Sequence, residues 1–286
     1  MSPDTSFSPL DISLSAGWLG GESREYVYDT ISGRKLSQLN WKIRRVPVLK
    51  AGITLDIGNW LTVNAGGWAS LSSGYGVMDD YDWLGTGGSG WNNWSHHPYT
   101  HVNYANEYDV NLKFWLIRHA HFRVGLMSGF QQTRFSWTAD GGHYDYYNHT
   151  HTGNFPPGPN IGYSQNFSVP YTGLVGQYWY QNFELNARVK YSPLVSARDS
   201  DEHYARQIIF RDRINHSRYY SAGFDIGYYL SSSLKLITGI TYSVFGEGKG
   251  CTEIVSSDKR HEYIKGDAAG ISSKDYVITA GFSYLF

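Results

Sequence analysis

A chain of 286 residues is long enough for one large domain, and residues 1–286 read as a single unit. With 41% hydrophobic, 17% charged and 16% aromatic residues, it is neither a disordered chain nor a highly charged soluble domain. The formal net charge of -1 argues against a nucleic-acid partner, and the lone Cys251 cannot form an internal disulfide.

The start, Met1-Ser2-Pro3-Asp4, has no basic region and no apolar stretch, so Met1 reads as a start residue in front of a mature sequence. A spanning helix needs ~20 apolar residues, and the longest plain apolar run is Phe114-Trp115-Leu116-Ile117. The mean hydropathy of -0.42 would suit a soluble protein, but a membrane barrel with a polar lumen gives the same average.

Ten strands are expected, at residues 11–28, 35–56, 60–75, 104–118, 121–137, 161–178, 182–196, 208–229, 233–247 and 271–286. In the fourth, Tyr108, Val110, Leu112, Phe114 and Leu116 alternate with Glu107, Asp109, Asn111 and Lys113. The seventh sets Phe183, Leu185, Ala187, Val189 and Tyr191 against Glu184, Asn186, Arg188 and Lys190. The eighth does the same with Tyr220, Ala222, Phe224, Ile226 and Tyr228. A soluble sandwich also alternates, but its strands rarely carry opposed charges so consistently on the second face. The last strand, Tyr276, Ile278, Ala280, Phe282, Tyr284 and the terminal Phe286, looks like the closing strand of a bacterial outer-membrane protein. Left open, such an edge invites aggregation, and closing the sheet removes it.

Short turns near Gly58-Asn59, His119-Ala120, Gln181 and Ser231-Ser232 alternate with longer connections at 76–103, 138–160, 197–207 and 248–270. The expectation is an all-β, ten-stranded antiparallel transmembrane β-barrel that extends above the outer membrane, with short periplasmic turns and long extracellular loops. Ten strands enclose a lumen narrow enough for side chains to fill, which argues against a diffusion porin.

Two clusters on the long-loop side carry possible chemistry. In Met78-Asp79-Asp80-Tyr81-Asp82-Trp83, extended backbone points Asp80 and Asp82 the same way. Two neighbouring carboxylates repel, which raises at least one pKa and lets the pair share a proton or hold a water. In Arg198-Asp199-Ser200-Asp201-Glu202-His203-Tyr204, Asp201 and His203 share a face, so the carboxylate can orient the imidazole as a proton acceptor. Taken singly, the first reads more readily as a solvated acidic loop, and the second equally well as an exposed turn with an incidental ion pair. His96, His97, His101, His143, His149 and His151 crowd the second and third long connections, but their spacing lacks a metal-ligand pattern, so no metal is assigned.

These two motifs resemble the catalytic motifs of the omptins, outer-membrane endopeptidases of Gram-negative bacteria. The resemblance extends through Gly33-Arg34-Lys35-Leu36-Ser37-Gln38-Leu39, Asn106-Glu107-Tyr108-Asp109, Thr133-Arg134-Phe135-Ser136-Trp137-Thr138 and Asp267-Ala268-Ala269-Gly270-Ile271. It implies that His203 is the general base, Asp201 its orienter, and Asp80 with Asp82 the pair that positions water and stabilises the oxyanion. It also implies cleavage beside basic residues, with Glu25 and Asp199 as acidic specificity groups. Peptides or proteins carrying basic residues are then the substrates, and lipopolysaccharide is a lipid activator, with no other cofactor. Arg134 matches a lipopolysaccharide-binding arginine, but Gln132 stands where a glutamate is usual and Asn166 replaces an arginine, so a two-arginine phosphate clamp loses one arm. The competing expectation is a non-enzymatic adhesin or invasin using aromatic residues such as Tyr144, Tyr146 and Tyr147 in the 138–160 connection.

Overall fold

The computed structural model describes residues 9–85 and 90–286, so Met1-Ser2-Pro3-Asp4 lies outside the described residues. The strands are β1 (Leu10–Tyr28), β2 (Lys35–Ile57), β3 (Leu61–Ser70), β4 (Gly74–Asp82), β5 (Asn93–Arg118), β6 (Phe122–Asp140), β7 (His143–Tyr146), β8 (His151–Asn154), β9 (Pro159–Tyr180), β10 (Phe183–His203), β11 (Ile208–Tyr229), β12 (Leu234–Val255) and β13 (His261–Leu285). All pair antiparallel in one sheet. β3 and β4 both lie between β2 and β5, forming one stave interrupted at residues 71–73. The β7–β8 hairpin sits on the outer end of β5. The thirteen segments thus make ten staves, and pairing of β1 with β13 from Asp11↔Leu285 to Val27↔Ala269 closes the barrel.

Alternation explains the wall. Leu14, Trp18, Val110, Leu112, Leu126, Leu174, Val189, Phe224, Ile240, Ile278 and Phe282 all face outward and are exposed. Register aligns them into a band, as in Leu14↔Phe282↔Leu236 and Trp18↔Ile278↔Ile240. Aromatic rings edge the band on both sides. Tyr180, Phe183, Tyr228 and Tyr284 mark the turn end, and Tyr108, Tyr191, Tyr220, Tyr242 and Tyr276 the side towards the mouth. From Tyr276 to Tyr284 the wall covers about 26 Å along the strand at ~3.3 Å per residue, which suits a tilted crossing of a bilayer core. The turn end closes tightly, with Gly58 and Gln181 in the left-handed region at φ 60° and 52°.

At the other end the paired strands run further than the alternation alone indicates. The connections expected at 76–103, 138–160, 197–207 and 248–270 are largely strand, and the unpaired tips shrink to short turns such as 204–207 and 256–260. Above the band the apolar residues turn inward, as Trp41, Trp137 and Phe245 do, and only the tips carry polar residues on both faces, so the outward alternation does not continue. Several staves also slip phase above the upper aromatic ring. Consecutive exposed residues occur at Arg44-Arg45, Pro193-Leu194 and Asn215-His216, each swapping which residues point inward.

The lumen is filled. Near the turn end Lys235 Nζ meets Glu184 Oε2 at 3.1 Å and Asp11 Oδ2 at 3.3 Å, while the Arg123 guanidinium pairs with Asp56 at 3.2 Å and stacks over Trp115. Higher up, Lys190 Nζ lies 2.6 Å from Asp109 Oδ2. Above these networks Trp41 stacks on Tyr163 at 4.9 Å and meets Trp137 at a tilt at 5.9 Å, and Phe245 packs between Phe167 and Tyr219. This aromatic layer is the floor of the mouth.

Removing one member of a buried charge network leaves its partners uncompensated. Lys235→Met should therefore destabilise the barrel by roughly 3–5 kcal/mol in urea unfolding from lipid vesicles, and adding Glu184→Gln should recover part of that loss. Equal stability of Lys235→Met and the parent would refute the pairing.

Candidate active site

Register places the first motif on strand β4. Leu39↔Asp80 and Ser37↔Asp82 turn both carboxylates to the inner face that Trp41 shares, while Asp79 and Tyr81 point outward. Asp79 is occupied there, accepting from His96 Nδ1 at 2.7 Å and Lys42 Nζ at 3.3 Å. Ser37 Oγ donates to Asp80 Oδ1 at 3.0 Å. Burial, followed by the nearby Asp82 charge, pushes the Asp80 carboxyl well above its ordinary range, and burial also raises Asp82. Such a pair favours holding one proton between two acids.

The second motif ends β10 across the mouth. The phase slip at Pro193-Leu194 turns Asp199 and Asp201 into the lumen, with His203 on the same face at the rim. His203 Nε2 lies 2.7 Å from Asp201 Oδ2, and Phe210 meets the ring edge-on at 5.6 Å. With Nε2 donating to the Asp201 carboxylate, Nδ1 keeps the free lone pair. Nη2 of Arg206, on the tip that follows, donates to that Nδ1. Charges from this side reach the first motif, since Arg206 and His203 both favour ionisation of Asp82, whereas Asp201 opposes that of Asp80. Tyr146 on β7 faces the same space, and burial with the Asp80 and Asp82 charges lifts its phenol to about 12.

Beneath the dyad lies an acidic pocket. Glu25 on β1 and Asp199 are joined by Asp212 on β11, all buried, with carboxylate oxygens within 4.8 Å of one another. Tyr163 Oη donates to Asp199 Oδ2 at 2.9 Å, and the Asp212 amide donates to Asp199 Oδ1 at 3.1 Å. Among the described residues no Lys, Arg or His forms an ion pair with any of the three carboxylates. Burial and then repulsion from nearby carboxylates, Asp201 first for Glu25 and Asp212 first for Asp199, raise both strongly, while burial is the main cause that lifts Asp212 to about 7. A cavity of about 300 Å³ reaches Glu25 and Asp212 between walls that include Val27, Leu36, Phe210 and Ile254.

The structure thus gathers Asp80, Asp82, Asp201 and His203 around one groove, with Glu25 and Asp199 below it. Arg134 stands apart, on the outward face of β6, with Nη2 donating to Gln132 Oε1 at 3.0 Å. Sequence reasoning missed Asp212, Ser37, Tyr163 and Arg206. The alternation of β11 read from Tyr220 to Tyr228 would turn Asp212 outward. Only the slip at Asn215-His216 brings it in, and no residue pattern announces that slip.

The whole chain was also compared with known proteins. The Omptin family model matches residues 6–286. The plasminogen activator of Yersinia pestis is 49% identical over 286 residues, covering 99% of this chain and 92% of the relative. The outer membrane protease OmpP of Escherichia coli (strain K12) is 39% identical, covering 98% of this chain and 92% of the relative. The crystal structure of the outer membrane protease OmpT from Escherichia coli superposes with a TM-score of 0.93 at 36% identity, over 100% of this chain and 98% of that one. The chain belongs to the omptin family and is a bacterial outer-membrane protease.

Proposed function

We propose that the protein hydrolyses peptide bonds beside arginine or lysine, in a groove open to the cell exterior, using water activated by His203 and the Asp80–Asp82 pair. The observation that carries this reading is the Asp201–His203 hydrogen bond of 2.7 Å, set across the mouth from two carboxylates and above a buried acidic pocket. Long hairpins at the mouth and short turns at the opposite end support the outward orientation.

The substrate chain lies between β4 and β10, and its basic side chain enters the pocket of Glu25, Asp199 and Asp212. Arg206 swings off His203 Nδ1 to admit a water. Nδ1 takes a proton from that water as its oxygen bonds to the scissile carbonyl carbon, and Asp201 holds the resulting imidazolium. The proton shared by Asp80 and Asp82 hydrogen-bonds the oxyanion. His203 then passes its proton to the leaving amine as the C–N bond breaks. Cationic host-defence peptides and exposed loops of host proteins are the substrate class that the omptin resemblance implies, and the Yersinia pestis relative is itself named for activating plasminogen.

The pocket makes substrate affinity depend on pH. As pH falls below about 7, Asp212 gains a proton, the pocket loses a negative charge, and KM for an arginine peptide should rise. A norleucine peptide gives the baseline, and parallel KM profiles for the two would refute the charge reading. Stability shifts the opposite way. A carboxyl raised in the folded state binds more protons than in the unfolded chain between about pH 4 and 7, so stability falls as pH rises through that window. Asp212→Asn should therefore unfold at higher urea than the parent at pH 8, but not at pH 4.

Lipopolysaccharide dependence belongs to the same proposal. Arg134, Asn166, Arg198 and Arg213 stand in one register row across β6, β9, β10 and β11, just above the Tyr108 level. Arg198 and Arg213 are exposed, and none of the three arginines forms an ion pair among the described residues. Phosphates at the headgroup level would find three guanidinium groups there, despite Asn166. The test is cleavage of a fluorogenic peptide with an Arg-Arg centre by the detergent-refolded barrel. Lipopolysaccharide should raise the rate, and Arg134→Ala with Arg213→Ala should remove most of that gain. A rate indifferent to the lipid would discard the dependence and keep the peptidase.

A further inference from the structure

We propose that Glu25, Asp199 and Asp212 also form a binding site for a divalent cation of the calcium class, held by oxygen ligands in the space that a basic side chain would enter. The exclusion of substrate by the ion rests on reading this pocket as the one that takes the basic side chain.

Three observations carry the site. First, one carboxylate oxygen from each residue lies within 4.8 Å of the other two. With metal–oxygen bonds of ~2.3–2.6 Å, an ion near the centre of that triangle reaches all three after shifts of a few tenths of an ångström. Second, Glu25 and Asp212 are each only 3% exposed, yet Glu25 Oε2 and Asp212 Oδ1 have no hydrogen-bond partner among the described residues. A buried unpaired acceptor is costly, and three carboxylates without a counter-charge multiply that cost. Third, the ligand set extends beyond the acids. Thr252 is 8% exposed, its Oγ1 lies beside the Asp212 carboxylate without a well-formed hydrogen bond, and it lines the same cavity as Glu25 and Asp212. A hydroxyl oxygen is a further hard ligand, and the cavity of about 300 Å³ has room for the waters that complete a coordination number of six or more.

The donors choose the ion. All are oxygens, with no imidazole or thiolate, which favours calcium, manganese or a lanthanide over zinc. Tyr163 and the Asp212 amide hold Asp199 in place, and each Asp199 oxygen keeps a lone pair for the ion. Occupied, the pocket has no free charge for a guanidinium or ammonium group. Cation binding should raise KM for an arginine peptide and leave kcat unchanged.

Terbium luminescence on the refolded barrel tests the site directly, because Tyr163, hydrogen-bonded to Asp199, is a sensitiser beside it. The expected result is saturable emission at one ion per barrel, displaced by calcium and by arginine amide. The affinity should drop at least tenfold in both Glu25→Gln and Asp212→Asn and be preserved in His203→Ala. Circular dichroism verifies that each variant is folded, and displacement from the wild type by arginine amide needs no variant. Absence of saturable emission, or equal affinity in Glu25→Gln and Asp212→Asn, overturns the site. Cleavage of basic peptides alongside no terbium binding removes the cation and leaves the substrate pocket. Binding by a barrel that cleaves no basic peptide removes the substrate reading and leaves the cation site.

Discussion

His203→Ala and Asp80→Asn barrels are expected to fold and insert as the parent does while losing roughly 10³-fold or more in kcat/KM on an Arg-Arg peptide. Alanine at His203 removes the one group placed to take a proton from water and return it to the leaving amine. Its partner Asp201 stays buried but sheds only the hydrogen bond at 2.7 Å. Asparagine at Asp80 keeps an oxygen to accept from Ser37 Oγ, so the wall should be undisturbed, but it ends proton sharing with Asp82. Because burial already disfavours the Asp80 charge, the substitution should not lower stability. The loss should appear in kcat, because neither residue lines the acidic pocket. Normal turnover by both variants would place the chemistry elsewhere.

The second large effect concerns specificity. Glu25→Gln should cost roughly 10²-fold in kcat/KM for peptides with arginine at the cleaved bond, since a buried charge-assisted contact to the guanidinium is lost. The same variant should change cleavage of a norleucine peptide by no more than a few fold. Asp199→Asn should act in the same direction, with an added structural effect, because Asp199 also accepts from Tyr163 and from the Asp212 amide. Parallel losses on arginine and norleucine peptides would mean that Glu25 supports the wall rather than reads the substrate.

Much of the molecule was legible before any coordinates. The membrane band follows from period-two alternation, because lipid on one side and a polar lumen on the other force apolar and polar residues to take turns. Glu107, Asp109 and Lys113 against Val110, Leu112 and Phe114 carry that signal in plain view. The two acidic motifs were picked out by local spacing and given a role through the omptin resemblance, and Asp80 and Asp82 share a face for the reason the sequence suggested. Above the band the signal fails. The apolar set turns inward there, onto residues such as Trp41, Trp137 and Phe245, and the tips carry polar residues on both faces, so the strand ends look like loops. The slip at Pro193-Leu194 also reverses the inward set, so that alternation carried up from Glu184, Asn186 and Arg188 would turn Asp199 outward. The same reversal hides Asp212. Partners such as Tyr163 and Asp199 were invisible because only the register of the β9–β10 pair, Asp201↔Tyr163 and Asp199↔Gln165, sets them side by side.

The central claim, a protease that selects bonds beside basic residues, is tested most directly by product mapping. The wild-type barrel, refolded with lipopolysaccharide, is given one peptide carrying Arg-Arg, Leu-Leu and Asp-Asp pairs separated by inert spacers, and the products are read by mass spectrometry. The expected result is a cut at the Arg-Arg site and none at the other two. Cleavage at Leu-Leu with the Arg-Arg bond left intact would contradict it.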